Sequence, residues 1–361
     1  MANLRLRDRD AIITKEGLIF RVLGYIHPDN AYVCDVEYAP GSLFKSDNPK
    51  AFRGDEQNAF YKFFEDDGWR FIQKNFLQYM IFHEMLQKRI VGVNQTQIVE
   101  VKQPAVELEK LVSLERKDEL VAATCRALNV VTQCSGLFME DFGVFGSMLH
   151  GFHNSRFSDI DLIVYGRDSS KKLREALQYL YEDDTSAFRN EFETDKSVAT
   201  KNWRFQNLTL QEYVWHQRRK MIYALFNDEK SRRTIKSEFE PVKNWSEIIN
   251  EYNSDTRMVQ RGWARMVARV TDDSDSPFIP STYGIEPLEV LDGPREALEA
   301  ERIVSYLEEY RMQVHRDEVV YVEGNLEEVI SLNRSFHQIT LTYCPRYYEQ
   351  VLKNQKVTDP E

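Results

Sequence analysis

The feature that most constrains this sequence is a pair of aspartates, Asp159 and Asp161, at the start of a short apolar segment. The residues that follow, 162–165, are all aliphatic or aromatic, which predicts a buried β-strand. Side chains two apart in a strand project to the same side, so the two carboxylates would point the same way. Neighbouring carboxylates repel each other, and a divalent cation that prefers oxygen ligands, Mg²⁺ or Mn²⁺, removes that repulsion. The pair therefore predicts a metal site.

A Gly-Ser dipeptide, Gly146-Ser147, precedes the aspartates and follows another strand-like segment, residues 141–145. Glycine allows a sharp turn and lets a bulky ligand approach the main chain. Backbone N–H groups after such a turn, together with the Ser147 hydroxyl, predict a seat for phosphate oxygens. A phosphate seat at one end and a metal site at the other indicate a site for a nucleoside triphosphate.

These residues together resemble the signature of the nucleotidyltransferase superfamily, typified by DNA polymerase beta. The signature is Gly-Ser, a spacer, then Ser/Thr-Asp-x-Asp and an apolar run, and it is present here as Gly146, Ser147, Ser158, Asp159, Asp161 and Leu162. The resemblance is to archaeal and bacterial members with additional N- and C-terminal domains. It implies metal binding by the two aspartates and nucleotide binding by Gly146, Ser147 and Ser158. Taken separately, either half of the signature could be an ordinary turn or cap.

The resemblance also implies a third carboxylate on a later strand of the same sheet. Residues 234–242 predict such a strand, ended by Pro241, and Glu238 and Glu240 would lie on one face of it. Either could serve, and we assign Glu238 as the third metal ligand and catalytic carboxylate. The family's usual residue is aspartate, so the sequence departs from the pattern here. Without a third ligand the enzyme would be slow, or would hold one metal firmly and the other only with substrate.

Basic residues near the aspartates could pair with phosphate oxygens. Arg156 precedes the pair by three residues, and we assign it to the nucleotide. A solvated surface role is the alternative for this arginine. His150 and His153 flank the turn and are interpreted as residues that line the site, not as catalytic bases.

The rest of the chain predicts an α+β protein of three domains. Strand patterns at 11–14, 18–25 and 31–38 are followed by a helical spacing of aromatic residues across 55–90. We interpret those aromatic residues as core and not as a base-stacking platform. The predicted domains are an N-terminal β-sheet plus helices at 1–100, a mixed-sheet nucleotidyltransferase domain at 101–245, and a small antiparallel, OB-like β-barrel at 246–361.

Two further helices and the barrel strands complete this prediction. Residues 105–131 predict one long helix after Pro104, and 210–226 another. The predicted barrel rests on five strand-like segments, separated by turn-forming residues, at 264–270, 285–291, 302–306, 319–329 and 337–342.

The composition limits which partners and compartments are compatible with the chain. The formal net charge is −11, so a polynucleotide partner would need a local basic patch. Four scattered cysteines without CxxC spacing fit free thiols in a reducing compartment. No apolar run reaches membrane-spanning length, and the first residues are too polar for a signal peptide. We therefore expect a cytoplasmic protein with no membrane partner.

The resulting hypothesis is a metal-dependent nucleotidyltransferase. It would transfer a nucleoside monophosphate from an NTP, with ATP as the first choice, to an acceptor hydroxyl on RNA or another polynucleotide, with release of pyrophosphate. The cofactor would be Mg²⁺ or Mn²⁺. The alternative is a catalytically weak or inactive protein of the same fold that acts as a nucleic-acid-binding or regulatory module.

Overall fold

The computed structural model describes residues 4–54, 58–194, 198 and 203–358 of the chain. Two compact units account for them: the first comprises residues 1–83, 88–188 and 225–252, and the second comprises 84–87, 189–224 and 253–361. The three-domain division at about residues 100 and 245 stays a prediction, since compactness alone does not show which segments fold independently. Among the described residues, no helix is long and apolar enough to span a membrane.

The first unit begins with an eight-stranded sheet in the order β4-β5-β3-β2-β1-β8, with β7 pairing to both β3 and β6. Its strands are β1 (Ala11–Thr14), β2 (Ile19–Val22), β3 (Ala31–Pro40), β4 (Phe52–Arg53), β5 (Phe60–Lys62), β6 (Met80–His83), β7 (Lys88–Asn94) and β8 (Ile98–Lys102). The three strands predicted at the N-terminus are confirmed by β1, β2 and β3. Their apolar residues build a buried core with Leu18, Phe20 and Val36 among its members.

The helical prediction for residues 55–90 is wrong over most of its length. The described part of this region, residues 58–90, holds one α-helix, α1 (Asp67–Asn75), between strands β5 and β6. The aromatic spacing misled because Phe63 and Phe71 meet through tertiary packing, with ring centroids 5.2 Å apart, and not along one helix face. Phe63 belongs to the core cluster of this sheet and Phe71 packs against it, which agrees with the core interpretation, whereas Trp69 is 46% exposed and departs from it.

A second sheet has five strands in the order β11-β12-β13-β10-β9. Its central strands β10 and β13 run parallel, and β9 pairs antiparallel to β10, so the sheet is mixed as predicted. Its strands are β9 (Phe142–Val144), β10 (Ile160–Tyr165), β11 (Phe188–Asn190), β12 (Tyr223–Asp228) and β13 (Arg233–Val242). The accompanying helices are α2 (Pro104–Ser113), α3 (Glu119–Ser135), α4 (Gly146–His150) and α5 (Arg167–Glu182).

Two predicted helices are shorter than the sequence pattern indicated. The predicted helix at 105–131 is two helices, because the Asp118 side chain accepts a hydrogen bond from the Val121 N–H and starts α3 as its N-cap. The predicted helix at 210–226 ends with α6 (Leu210–Arg219), after which the chain enters β12. In both cases apolar residues recur at helical spacing beyond the residue where the helix ends, so the pattern predicted too long a helix.

The second unit is dominated by a six-stranded sheet. Its strands are β14 (Arg257–Asp275), β15 (Ser281–Asp292), β16 (Ala300–Ser305), β17 (Val319–Ile330), β18 (Ser335–Leu341) and β19 (Val351–Asn354). Each of the five predicted strand segments corresponds to one of β14 to β18, although β16 ends at Ser305 and β18 at Leu341, one residue short of the prediction in each case. The pairings follow β14-β15-β16-β18-β17, and β17 pairs back to β14.

One element of the barrel prediction is wrong: β16 and β18 are parallel, so the strands are not all antiparallel. The core of this sheet includes Met266, Tyr283 and Ile339, all fully buried. What the structure shows here is a mixed sheet whose pairings form a ring.

Candidate active site

The Gly-Ser turn lies against the second aspartate of the pair. Strand β9 leads into the turn antiparallel to β10, and the Phe145 N–H donates a hydrogen bond to the Asp161 carbonyl oxygen at 3.0 Å. The chain then enters α4 at Gly146, and Gly151, in the left-handed region at φ +73°, ends this helix. A short antiparallel strand pair therefore fixes the turn beside β10.

Gly146 is required by two independent features of this geometry. Its φ is +61°, which favours glycine, and a Cβ at this position would lie 2.5 Å from Oδ2 of Asp161. The carboxylate of Asp161 therefore points at the bend, not into solvent or the core. Asp159 lies just before β10 and is exposed, whereas Asp161 is half-buried.

A Gly146→Ala substitution is expected to displace the Asp161 carboxylate and strain the turn. We expect transfer activity to fall by about 10²-fold, because misplacement of reacting groups by about 1 Å has an effect of that size. Melting temperature and single-turnover rates would be measured, with Gly136→Ala as the control. Gly136 also has positive φ, but a Cβ there meets nothing within 4 Å. Equal losses in the two variants would mean that backbone strain alone, without Asp161, explains the effect.

Negative charge surrounds Asp161 and makes its ionised form unfavourable in the absence of a cation. Burial and the charge of Asp159 raise the pKa of Asp161 to about 7, with smaller contributions from Glu240 and Glu37. The ammonium of Lys62 acts in the opposite direction. A divalent cation would stabilise the ionised form of a carboxylate that has other carboxylates around it.

The two glutamates proposed for the third carboxylate occupy different levels of β13. Glu238 pairs directly with Asp161 in the parallel register, so their side chains lie on the same face and at the same level. Glu240 pairs with Ile163, two residues farther along β10 than Asp161, and is 3% exposed. Its carboxylate lies 2.5 Å from Nε of Arg9. Register thus favours Glu238, although the charge of Glu240 also acts on Asp161.

The donor set fits a hydrated divalent cation better than a closed metal cage. Within the described part of the chain, no three His, Cys, Asp or Glu side chains converge closely enough to hold a metal by themselves. Mg²⁺ commonly takes one or two carboxylates and completes its octahedron with water and substrate phosphates. The pair Asp159 and Asp161 at the start of β10 is consistent with that mode.

The remaining predicted residues surround the turn and the loop before β10. Ser147 is half-buried in the first turn of α4. Ser158 accepts a hydrogen bond from the Asn154 N–H at 2.9 Å, which closes the loop, and Arg156 is exposed in that loop. All three residues are near the two aspartates in the sequence. Their nucleotide-binding roles stay predictions.

The two histidines that flank the turn have separate surroundings. Nε2 of His153 lies 2.7 Å from the Asp118 carboxylate at the start of α3. His150 is buried between Tyr38 and Phe152, and burial lowers its pKa to about 4. His150 is therefore neutral at physiological pH.

Sequence reasoning missed the charged residues that the N-terminal sheet contributes beside Asp161. They are Glu37 and Lys62, while Arg9, which lies before β1, pairs with the nearby Glu240; all three belong to the first unit. The β2–β3 register shifts so that Ile19 pairs with Tyr38 and Phe20 with Val36, which makes Glu37 an inserted residue. Such bulges redirect side chains, but nothing in the local sequence marks this one.

Comparison with known proteins agrees with this geometry. Residues 129–250 match the family model described as a nucleotidyltransferase domain. Over 333 residues the chain is 27% identical to an uncharacterized protein of Methanocaldococcus jannaschii, covering 91% of this chain and 92% of that protein. No solved structure matches the chain significantly. The matched segment contains the Gly-Ser turn, both aspartates and β13, so the family match supports a nucleotidyltransferase domain at residues 129–250.

Proposed function

We propose that the protein is a metal-dependent nucleotidyltransferase that transfers a nucleoside monophosphate from an NTP to an acceptor hydroxyl and releases pyrophosphate. The observation that carries this proposal is the Asp161 carboxylate facing the Gly146-Ser147 turn within the matched domain. Such a transfer needs carboxylates that hold a metal ion and a backbone turn that binds phosphate, and the two lie side by side here. ATP is the first triphosphate to test.

Each residue has a defined part in this proposal. Asp159, Asp161 and Glu238 would hold Mg²⁺ or Mn²⁺, which when bound lowers the pKa of the acceptor hydroxyl and neutralises phosphate charge. The Gly146-Ser147 turn would donate hydrogen bonds to the phosphate oxygens. Arg156 and Ser158, on the loop before β10, would contact the nucleotide. The fixed positions of the turn and β10 orient the triphosphate, and orientation supplies much of the acceleration.

Glu238→Gln is expected to lower the transfer rate by about 10²-fold while leaving stability nearly unchanged. The carboxylate is half-buried and level with Asp161, so its loss removes a metal ligand without a large packing change. Rates would be measured across a Mn²⁺ titration, with Glu229→Gln as a matched control at an exposed position after β12. An unchanged rate and metal dependence for Glu238→Gln would remove this glutamate from the site.

We further propose that the acceptor is RNA or another polynucleotide. The ring of pairings among β14, β15, β16, β18 and β17 supports a small OB-like barrel, a type of fold that serves many oligonucleotide-binding proteins. Fold alone does not establish this function, so the acceptor rests on the test below.

Four free cysteines support the prediction of a cytoplasmic location.

The second candidate is a nucleotidyltransferase-fold protein without appreciable turnover that binds nucleic acid or regulates a partner. It is favoured by the lack, among the described residues, of three converging metal-ligating side chains. A glutamate where the family usually has aspartate points in the same direction.

The deciding experiment supplies each α-labelled NTP in turn with Mg²⁺ or Mn²⁺ and total RNA. Label that enters RNA only when metal is present supports the enzyme and its acceptor. Pyrophosphate release with no labelled RNA would retain the enzyme and reject the polynucleotide. Binding of NTP and RNA with neither product would favour the second candidate.

A further inference from the structure

One face of strand β5 lies against the Gly-Ser helix α4 and the residues just after it. Phe60 and Lys62 are two apart in β5 and therefore share a face. The Phe60 ring stacks on Phe152, with centroids 4.6 Å apart and an interplanar angle of 30°. The contact with Phe152, next to the glycine that ends α4, anchors this face of β5 beside the proposed site.

The neighbouring strand β3 faces the same way. Tyr38 pairs with Lys62 in the antiparallel register, so the two side chains lie on one side of the sheet. The buried Tyr38 ring lies 5.4 Å from His150 of α4 and 5.6 Å from Phe152, measured between centroids. Aromatic contacts on both strands thus show which side of the sheet carries Lys62: the side toward α4 and Asp161.

On this side of the sheet, the positive charge of Lys62 acts on two acidic residues, Glu37 and Asp161. Burial alone would raise the pKa of Glu37, but the charges of Lys62 and Arg21 lower it below its usual value. Lys62 also opposes the rise in the pKa of Asp161. Arg9 is committed to the buried Glu240, and His150 is neutral. Lys62 is therefore a cation of the N-terminal sheet on the side that faces α4, and its charge acts on Asp161.

We propose that Lys62 contacts the phosphate groups of the bound nucleoside triphosphate, so that the N-terminal sheet forms a second wall of the active site. This inference rests on the proposed function and extends it to a residue outside the matched domain. A lysine ammonium on a flexible stem is a strong donor to phosphate oxygens, and phosphate carries more negative charge than a carboxylate. When a triphosphate binds at the Gly-Ser turn with Asp161 beside it, the ammonium has a more favourable partner than Glu37.

The test separates phosphate contact from simple neutralisation of Glu37. Affinities for fluorescent mant-ATP and mant-AMP would be measured with Mg²⁺ for the wild-type protein, Lys62→Met and Lys62→Arg. Lys74→Met, on the exposed last turn of α1, is the matched control. Lys62→Met is expected to weaken mant-ATP binding by about tenfold or more, the range of one charge-assisted hydrogen bond, and mant-AMP binding by less than about twofold.

Each outcome decides the proposal. Lys62→Arg should recover most of the mant-ATP affinity, and Lys74→Met should match the wild type. Equal weakening of mant-ATP and mant-AMP, or no weakening of either, would overturn the role of Lys62 while the wild type still binds and transfers. A wild-type protein that binds no triphosphate would overturn the proposed function together with this inference. If Lys62→Met does not fold, Lys62→Gln provides the same comparison.

Discussion

Replacing Asp161 with asparagine should abolish nucleotidyl transfer and at the same time raise the melting temperature of the metal-free protein. The carboxylate is held beside Asp159 and against the Gly-Ser turn, and burial with the neighbouring charge raises its pKa to about 7. Asparagine has nearly the same shape and no charge, so the repulsion disappears. Loss of a metal ligand that contributes several kcal/mol to the transition state corresponds to a rate decrease of roughly 10³-fold.

The stabilisation should depend on pH in a defined direction. The folded state holds the Asp161 proton more tightly than the unfolded chain, where the pKa is about 3.9. The penalty for ionised Asp161 therefore grows as the pH rises from about 4 and is complete above about pH 7. The substituted asparagine cannot ionise, so the advantage of the Asp161→Asn variant is larger at pH 8 than at pH 5. A gain of about 2 kcal/mol corresponds to roughly 4–8 °C in Tm.

Calorimetry in EDTA at the two pH values and labelled-triphosphate incorporation with Mn²⁺ would measure both effects. Asp29→Asn, at an exposed aspartate of the same unit, is the matched control and should change neither. Full turnover in the Asp161 variant would remove this residue from the reaction. A lower melting temperature at pH 8 would contradict the repulsive environment described for its carboxylate.

The site could be predicted from sequence where its geometry is local. Asp161 lies in β10 and Asp159 directly before it, and the Gly-Ser turn joins the neighbouring strand β9 to a short helix, so sequence spacing was enough to predict that these groups meet. Strand periodicity limited the candidates for the third carboxylate to Glu238 and Glu240. Register then distinguished them, and register depends on how two distant strands align.

The parts that sequence could not predict depend on long-range packing. Lys62 reaches the site only because β5 pairs with β3 and its aromatic neighbour stacks on Phe152. Glu37 lies at a bulge with no local sequence signature, and its charge acts on Asp161. The helical misassignment at 55–90 has the same origin, since three- and four-residue aromatic spacing arose from side chains that meet across different elements.

The second large effect is expected at Arg9, where a buried guanidinium balances buried acids. Arg9 is 2% exposed, and its Nε lies 2.5 Å from Glu240 and 3.7 Å from Asp8. Arg9→Met would leave both carboxylates buried without this partner. Breaking a buried ion pair from one side destabilises by about 3–5 kcal/mol, or roughly 6–20 °C in Tm. Thermal and urea unfolding would measure the loss, with Arg9→Lys, which keeps the charge, as the milder control.

The double variant Arg9→Met with Glu240→Met tests what this pair is for. Apolar replacements of similar volume avoid the desolvation of both charges, so most of the stability should return. If transfer activity also returns, Glu240 is part of the scaffold and Glu238 keeps the third position beside Asp161. A stable double variant that transfers nothing would instead place Glu240 at the metal site, because register and burial would then have pointed to the wrong glutamate. An Arg9→Met protein as stable as the wild type would show that the buried acids need no guanidinium.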